Sequence, residues 1–262
     1  MRDSRDIARQ VTVAASAVIA VIGSFVGSGA AGGTPIQDAA GGALAADATL
    51  TAPATPAFSI WSVIYLGLLA YAVWQFLPGQ SSSARHRRIG FWVAASLILN
   101  AAWILSIQFD LLPLSVPIIV ILLAVLLRIL LDLTAQPATS RLDALITDGS
   151  LGLYLGWVAI ATAANVTALL VASGFDGFGW PPELWSVVVV LAAAAAGVAI
   201  AVAGRGRIAP ALSLSWGLAW LAVGRLTGEP ASTVTGVAAI GAIVVVLAVT
   251  ATVRLRRSGV TA

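Results

Sequence analysis

FSIWSVIYLGLLAYAVWQ, residues 58–75, is the stretch on which the fold turns. Its eighteen residues carry no charge, and as a helix rising 1.5 Å per residue they reach about 27 Å, close to the hydrocarbon thickness of a bilayer. Pro53 and Pro56 precede it, and Trp61, Tyr65, Tyr71 and Trp74 lie within it. A barrel strand would alternate apolar and polar residues. This run is apolar all round, so in lipid its backbone must satisfy its hydrogen bonds within the segment, as a helix.

Seven further runs resemble it. Spans are expected near 9–31, 57–77, 89–109, 112–134, 149–171, 184–204, 208–225 and 233–254. The chain of 262 residues is 60% hydrophobic and 10% charged, whereas a soluble domain carries about a quarter charged residues. The expected fold is therefore an all-α polytopic membrane bundle of about eight transmembrane helices. Arg2, Arg5 and Arg9 precede the first span; Arg85, Arg87 and Arg88, then Arg141, then Arg205 and Arg207, and finally Arg254, Arg256 and Arg257 recur at every second loop. The loops between hold Asp38, Asp47, Asp110 and Asp176 without arginine. This alternation predicts an integral protein of the cell membrane with both termini cytoplasmic. Arg225 departs from the pattern, and Glu229 is its expected partner. The first span also has signal-peptide features, with Ala43-Leu44-Ala45 as a cleavage site, but its apolar core is longer than a usual signal and it is read as retained. Gly23 and Gly27 suit close helix packing. The loop 32–56, rich in Ala, Gly, Thr and Pro, is either a cover over the bundle or a connector.

The absence of cysteine excludes thiol chemistry, and the single histidine, His86, read as part of an arginine-rich loop, excludes a bis-histidine haem or a histidine-rich metal site within one chain. The scattered arginines give no nucleic-acid footprint. Within the spans, Arg128 and Asp132 stand four apart and are expected to pair towards the cytoplasmic end of the fourth helix. No acid–base or nucleophile set is evident, so enzyme chemistry has few groups to work with. A transporter would rely on Asp132 and on a break near Pro113 and Pro117. The remaining polar residues sit beside aromatic ones: Asn100 near Trp103, and Trp157 with Thr162 and Asn165. Interhelical hydrogen bonds alone would account for them. Together with Trp61 and Tyr65 they would also line a mostly apolar pocket for a flat hydrophobic ligand. Trp74, Trp92, Trp180, Trp185 and Trp220 fit an interfacial belt.

Three of these places resemble the TspO/MBR family, the tryptophan-rich sensory proteins related to the translocator protein. They are Phe58-Ser-Ile-Trp61-Ser-Val-Ile-Tyr65, Leu99-Asn100-Ala-Ala-Trp103, and the stretch from Trp157 through Thr162 to Asn165, in that order over residues 9–172. The resemblance implies a five-helix domain over 1–172, with three additional helices over 173–262. It also implies a pocket covered by the loop after the first helix and a porphyrin or haem-like tetrapyrrole as ligand; no other cofactor is assigned. Trp61, Tyr65, Asn100, Trp103, Trp157, Thr162 and Asn165 are the residues carried over as ligand-binding, for a sensor or a carrier. The expected partners are the lipid bilayer and a small hydrophobic ligand, with a homodimer as a further expectation. The chain departs from the family in its extra helices, in the reduction of Trp-x-Pro-Pro to Thr55-Pro56, and in lacking the sterol-type pattern after its tyrosines.

Overall fold

The computed structural model describes residues 3–258. It contains eight long helices: α1 Ser4–Gly27, α2 Ile60–Trp74, α3 Ala84–Gln108, α4 Leu112–Ala135, α5 Arg141–Ala172, α6 Pro182–Ala203, α7 Ile208–Thr227 and α8 Thr233–Ser258. All except α7 meet the length and hydropathy expected of a membrane span, α2 together with the 3-10 turn before it as Thr55–Trp74. The helices alternate in direction, so the described termini lie at one end (the terminal end) and the loops 28–59, 109–111, 173–181 and 228–232 at the other.

Local sequence sets the helix ends. Asp3 caps α1, accepting from the Asp6 amide at 2.9 Å, while the Asp6 carboxylate accepts from the Asp3 amide at 3.2 Å. Pro113 and Pro182 sit in first turns, where no intrahelical donor is lost. As the expected span 112–134 requires, α4 continues through Pro117 to Ala135, so the break on which a transporter would rely is not formed there.

The bundle is built outward from α5, which is apolar on most of its circumference and correspondingly buried. It packs on α4 and α7 and touches α2; α3 lies between α1 and α4, and α8 lies against α6 and α7. Small residues permit the closest approaches. Gly23 and Gly27 of α1 lie against Ala101 and Ile104 of α3. At Gly156 of α5 an added Cβ would stand 2.0 Å from the Pro210 carbonyl oxygen of α7, so only glycine admits this crossing.

The terminal end is fastened by buried ions, which corrects the reading that placed most of these charges in loops. α3 begins at Ala84 rather than near 89, and His86 lies in its first turn, fully buried. Arg85 pairs with Asp143 at 2.6 Å and also with Asp148, which in turn meets Arg207 at 2.9 Å. Residues 144–149 of α5 form a wide π turn. Positions five apart diverge by about 140° around an α-helix, and the wider turn is what lets Asp143 and Asp148 face one arginine. Asp6 bonds Arg87 at 2.6 Å and Arg9 at 3.3 Å. Arg128 pairs with Asp132 at 3.1 Å, and Arg88 binds the same carboxylate at 2.6 Å, joining α3 to α4.

Candidate functional site

At the opposite end, residues 43–53 run across the mouth of the bundle as a strap. Short turns give it shape: the Ala48 amide donates to Ala45 O at 3.1 Å and the Ala52 amide to Thr49 O at 3.2 Å. Thr49, Thr51 and Ala52 are buried, so the loop covers the helices rather than extending away from them. Asp110, in the turn between α3 and α4, accepts from the Ala40 amide at 3.0 Å and holds the approach to the strap.

α7 seats the other side. Trp216 Nε1 donates to Ala57 O at 2.9 Å, and the Ala54 amide donates to Trp220 O at 3.2 Å. Arg225, only 1% exposed, donates to Ala46 O at 2.8 Å and Thr49 O at 3.2 Å. The expected pairing with the Glu229 carboxylate is not made. Arg225 reaches the Glu229 main-chain oxygen at 3.3 Å, and the carboxylate accepts from the Ala231 amide at 3.1 Å instead. The arginine that departed from the loop pattern thus clamps the strap.

Beneath the strap is a cavity of ≈ 50 Å³. Its roof is Ala43, Leu44, Thr49, Ala52 and Pro53; its walls include Phe58 from the turn before α2, Trp103 from α3, and Trp157 and Asn165 from α5. Trp157 and Asn165 stand eight residues apart on one helical face, and Ala161, Ala164 and Ala168 on that face leave the space open. The walls are almost wholly apolar. The polar contribution comes from a buried chain in which Trp103 Nε1 donates to Asn165 Oδ1 at 2.7 Å and Asn165 Nδ2 donates to Ser115 Oγ at 2.9 Å. This satisfies both ends of the Asn165 amide and fixes the indole, so the arrangement presents flat rings at set angles rather than mobile donors.

The other residues singled out from sequence form a second group beside this cavity rather than part of its lining. Trp61 stacks on Tyr65 with ring centroids 5.4 Å apart and meets Tyr154 and Trp157 edge-on at 6.0 and 6.3 Å. The Tyr65 hydroxyl accepts from Asn100 Nδ2 at 2.5 Å. Thr162 is half-buried and donates to the Val158 carbonyl of its own helix at 2.7 Å. Trp157 joins the two groups, since Phe58 packs edge-on against it at 5.7 Å. Sequence reasoning missed Ser115 and the alanines on the Trp157 face, although the alanines carried a signal, being spaced on the Trp157–Asn165 face. The strap was anticipated only as the loop 32–56, read as a cover or a connector, without its individual lining residues. Arg128 and Asp132 lie at the terminal end, away from this cavity. Among the described residues no three His, Cys, Asp or Glu side chains come together as a metal site.

No curated protein and no solved structure matches the chain. A family model described as TSPO-like protein matches residues 13–251, from the third turn of α1 through α6 and α7 and into the last turns of α8. A match over nearly the whole length, on a bundle of membrane-spanning helices, establishes that the chain belongs to the TSPO-like protein family and is an integral membrane protein of that type.

Proposed function

We propose that the protein binds a flat, mostly apolar ligand of the porphyrin type beneath the strap and serves as its receptor or carrier. The observation that carries this reading is the cavity itself: Trp103, Trp157 and Phe58 supply ring faces, the Trp103–Asn165–Ser115 chain supplies one ordered polar edge, and the roof is loop rather than helix. Drug-sized ligands occupy about 300 Å³ or more. The cavity of ≈ 50 Å³ is far smaller, so the ligand enters by displacing residues 43–53. Such displacement leaves the helix contacts intact, because the strap is tied down mainly through α7 and Asp110. The arginine-rich terminal end favours an orientation in the cell membrane with both termini in the cytoplasm and the strap outside. Titration of the purified protein in lipid nanodiscs with protoporphyrin, read as quenching of tryptophan emission, tests the proposal. Trp103→Phe and Trp157→Phe should each weaken binding and reduce the quenched fraction; quenching and affinity equal to the parent in both variants would remove the ligand from this cavity.

A further inference from the structure

A larger cavity, ≈ 580 Å³, opens beside the first at the same end of the bundle, between the C-terminus of α5, the loop 173–181, the start of α6 and the turn at Pro230. Thr49 of the strap borders both cavities. Three aromatic rings, Phe175, Trp180 and Trp185, line the larger one. Trp180 and Trp185 are stacked with centroids 5.8 Å apart, and Phe175 meets Trp185 edge-on at 5.6 Å. The rings are held in place. Trp185 Nε1 donates to Gly177 O at 2.9 Å, and at Gly177, where φ is +69°, an added Cβ would stand 2.8 Å from that indole nitrogen. The position therefore requires glycine on two grounds, conformation and space.

The charges around this cavity have one sign. Asp176 and Glu183 line it, and no Arg, Lys or His does. The surrounding loops add Asp38, Asp47, Asp110 and Glu229. Among the described residues the one arginine at this end is Arg225, which is buried and bound to main-chain carbonyls. A negative field at a concave, low-dielectric surface concentrates cations, and the faces of indole rings attract them further. The volume is within the range of small-molecule sites.

We propose that this second cavity binds an organic cation: a molecule with an apolar, ring-bearing body and a single delocalised or substituted positive charge. The body lies among Phe175, Trp180, Trp185 and Val189, and the charge faces Asp176 and Glu183. Because Phe178, Trp180 and Leu184 at its rim are exposed, the cavity is accessible to an amphiphile arriving along the membrane surface. Its aromatic and acidic residues are separate from the cavity under the strap, but strap residues 48–51 line it as well, so cation binding is measured with no porphyrin present.

Tetraphenylphosphonium and tetraphenylborate share a shape and differ in the sign of their charge, which makes them suitable probes. Equilibrium dialysis against the full chain in nanodiscs, with empty nanodiscs as the blank, should show saturable retention of the phosphonium alone. Glu183→Gln and Asp176→Asn should each weaken it roughly fivefold and Trp180→Ala roughly tenfold. Asp38→Asn, which removes a charge from the same end outside the cavity, should change it less than about twofold. Glu183 and Trp180 are exposed, so these variants keep the fold, which circular dichroism verifies. No retention above the blank, equal retention of both ions, insensitivity to Glu183→Gln and Trp180→Ala, or an Asp38→Asn effect as large as that of Glu183→Gln would each overturn the proposal. Retention of tetraphenylphosphonium and quenching by protoporphyrin are read at different residues, so the two sites stand or fall separately.

Discussion

Replacing Arg225 by methionine should loosen the strap while leaving the bundle nearly as stable as before. The side chain gives one hydrogen bond to Ala46 O at 2.8 Å and a longer one to Thr49 O at 3.2 Å. Bonds from a charged donor contribute about 1.5–3 kcal/mol each, but a buried guanidinium also pays a desolvation penalty, so a net of about 1 kcal/mol per strap bond is reasonable. Losing both shifts the closed strap towards its open form by about 2 kcal/mol, or roughly thirtyfold. Counted from the open-strap form, the bundle should change by less than about 1 kcal/mol, because the bonds lost go to strap carbonyls and Glu229 O and among the described residues no carboxylate is salt-bridged to Arg225. Hydrogen–deuterium exchange of a peptide covering residues 43–54 is the direct assay, since the Ala48 and Ala52 amides are hydrogen-bonded within the strap. Their exchange should accelerate by up to roughly thirtyfold, with the helices unchanged. If porphyrin must lift the strap, its apparent affinity should rise in the same variant, because less of the binding energy is spent on opening. Unchanged exchange at 43–54, together with a large loss of global stability, would show that Arg225 clamps the bundle rather than the strap.

Three other outcomes follow from close contacts. Gly156→Leu forces α5 and α7 apart, since even a Cβ would stand 2.0 Å from Pro210 O and 2.2 Å from Ser213 Oγ; a loss of about 3 kcal/mol or more should appear in denaturant unfolding monitored by circular dichroism. Asp143→Ala leaves Arg85 with Asp148 alone at the terminal end and should destabilise by about 2–4 kcal/mol, with the Arg85→Met/Asp143→Leu pair recovering most of the loss. Asn165→Leu removes the partner of Trp103 Nε1 and should cost about 1–3 kcal/mol, with a change in Trp103 emission read against a Trp103→Phe background.

The spans were legible because the apolar runs, that of α7 excepted, are long and apolar enough to cross hydrocarbon unaided. The ends of those spans were less so. Arg85, His86 and Arg87 read as a loop because hydropathy counts them as polar, but their partners Asp143 and Asp6 come from distant parts of the chain and allow α3 to start with them. The π turn at 144–149 leaves no pattern in the sequence, since its cause is the need to turn two aspartates towards one arginine. In the site, Trp103 and Asn165 stood out as polar–aromatic neighbours, but the choice of partners (Trp103 with Asn165, Asn100 with Tyr65) depends on helix rotations that local spacing does not encode. Trp180 and Trp185 were read as belt residues, a role that exposure at a membrane end and lining of a cavity share. Arg225 looked anomalous for a physical reason: its partners are main-chain carbonyls, which have no sequence signature.

The most direct test of ligand binding beneath the strap fills the cavity without removing any tryptophan. Ala164, on the α5 face between Trp157 and Ala168, lines it, and Ala164→Leu and Ala164→Phe would occupy the ≈ 50 Å³ that the ligand must enlarge. Protoporphyrin affinity, measured by tryptophan quenching in nanodiscs, should fall at least roughly tenfold in Ala164→Phe and by an intermediate factor in Ala164→Leu. Affinity equal to the parent in both variants, with helix content retained, would contradict the account and place any porphyrin site elsewhere on the molecule.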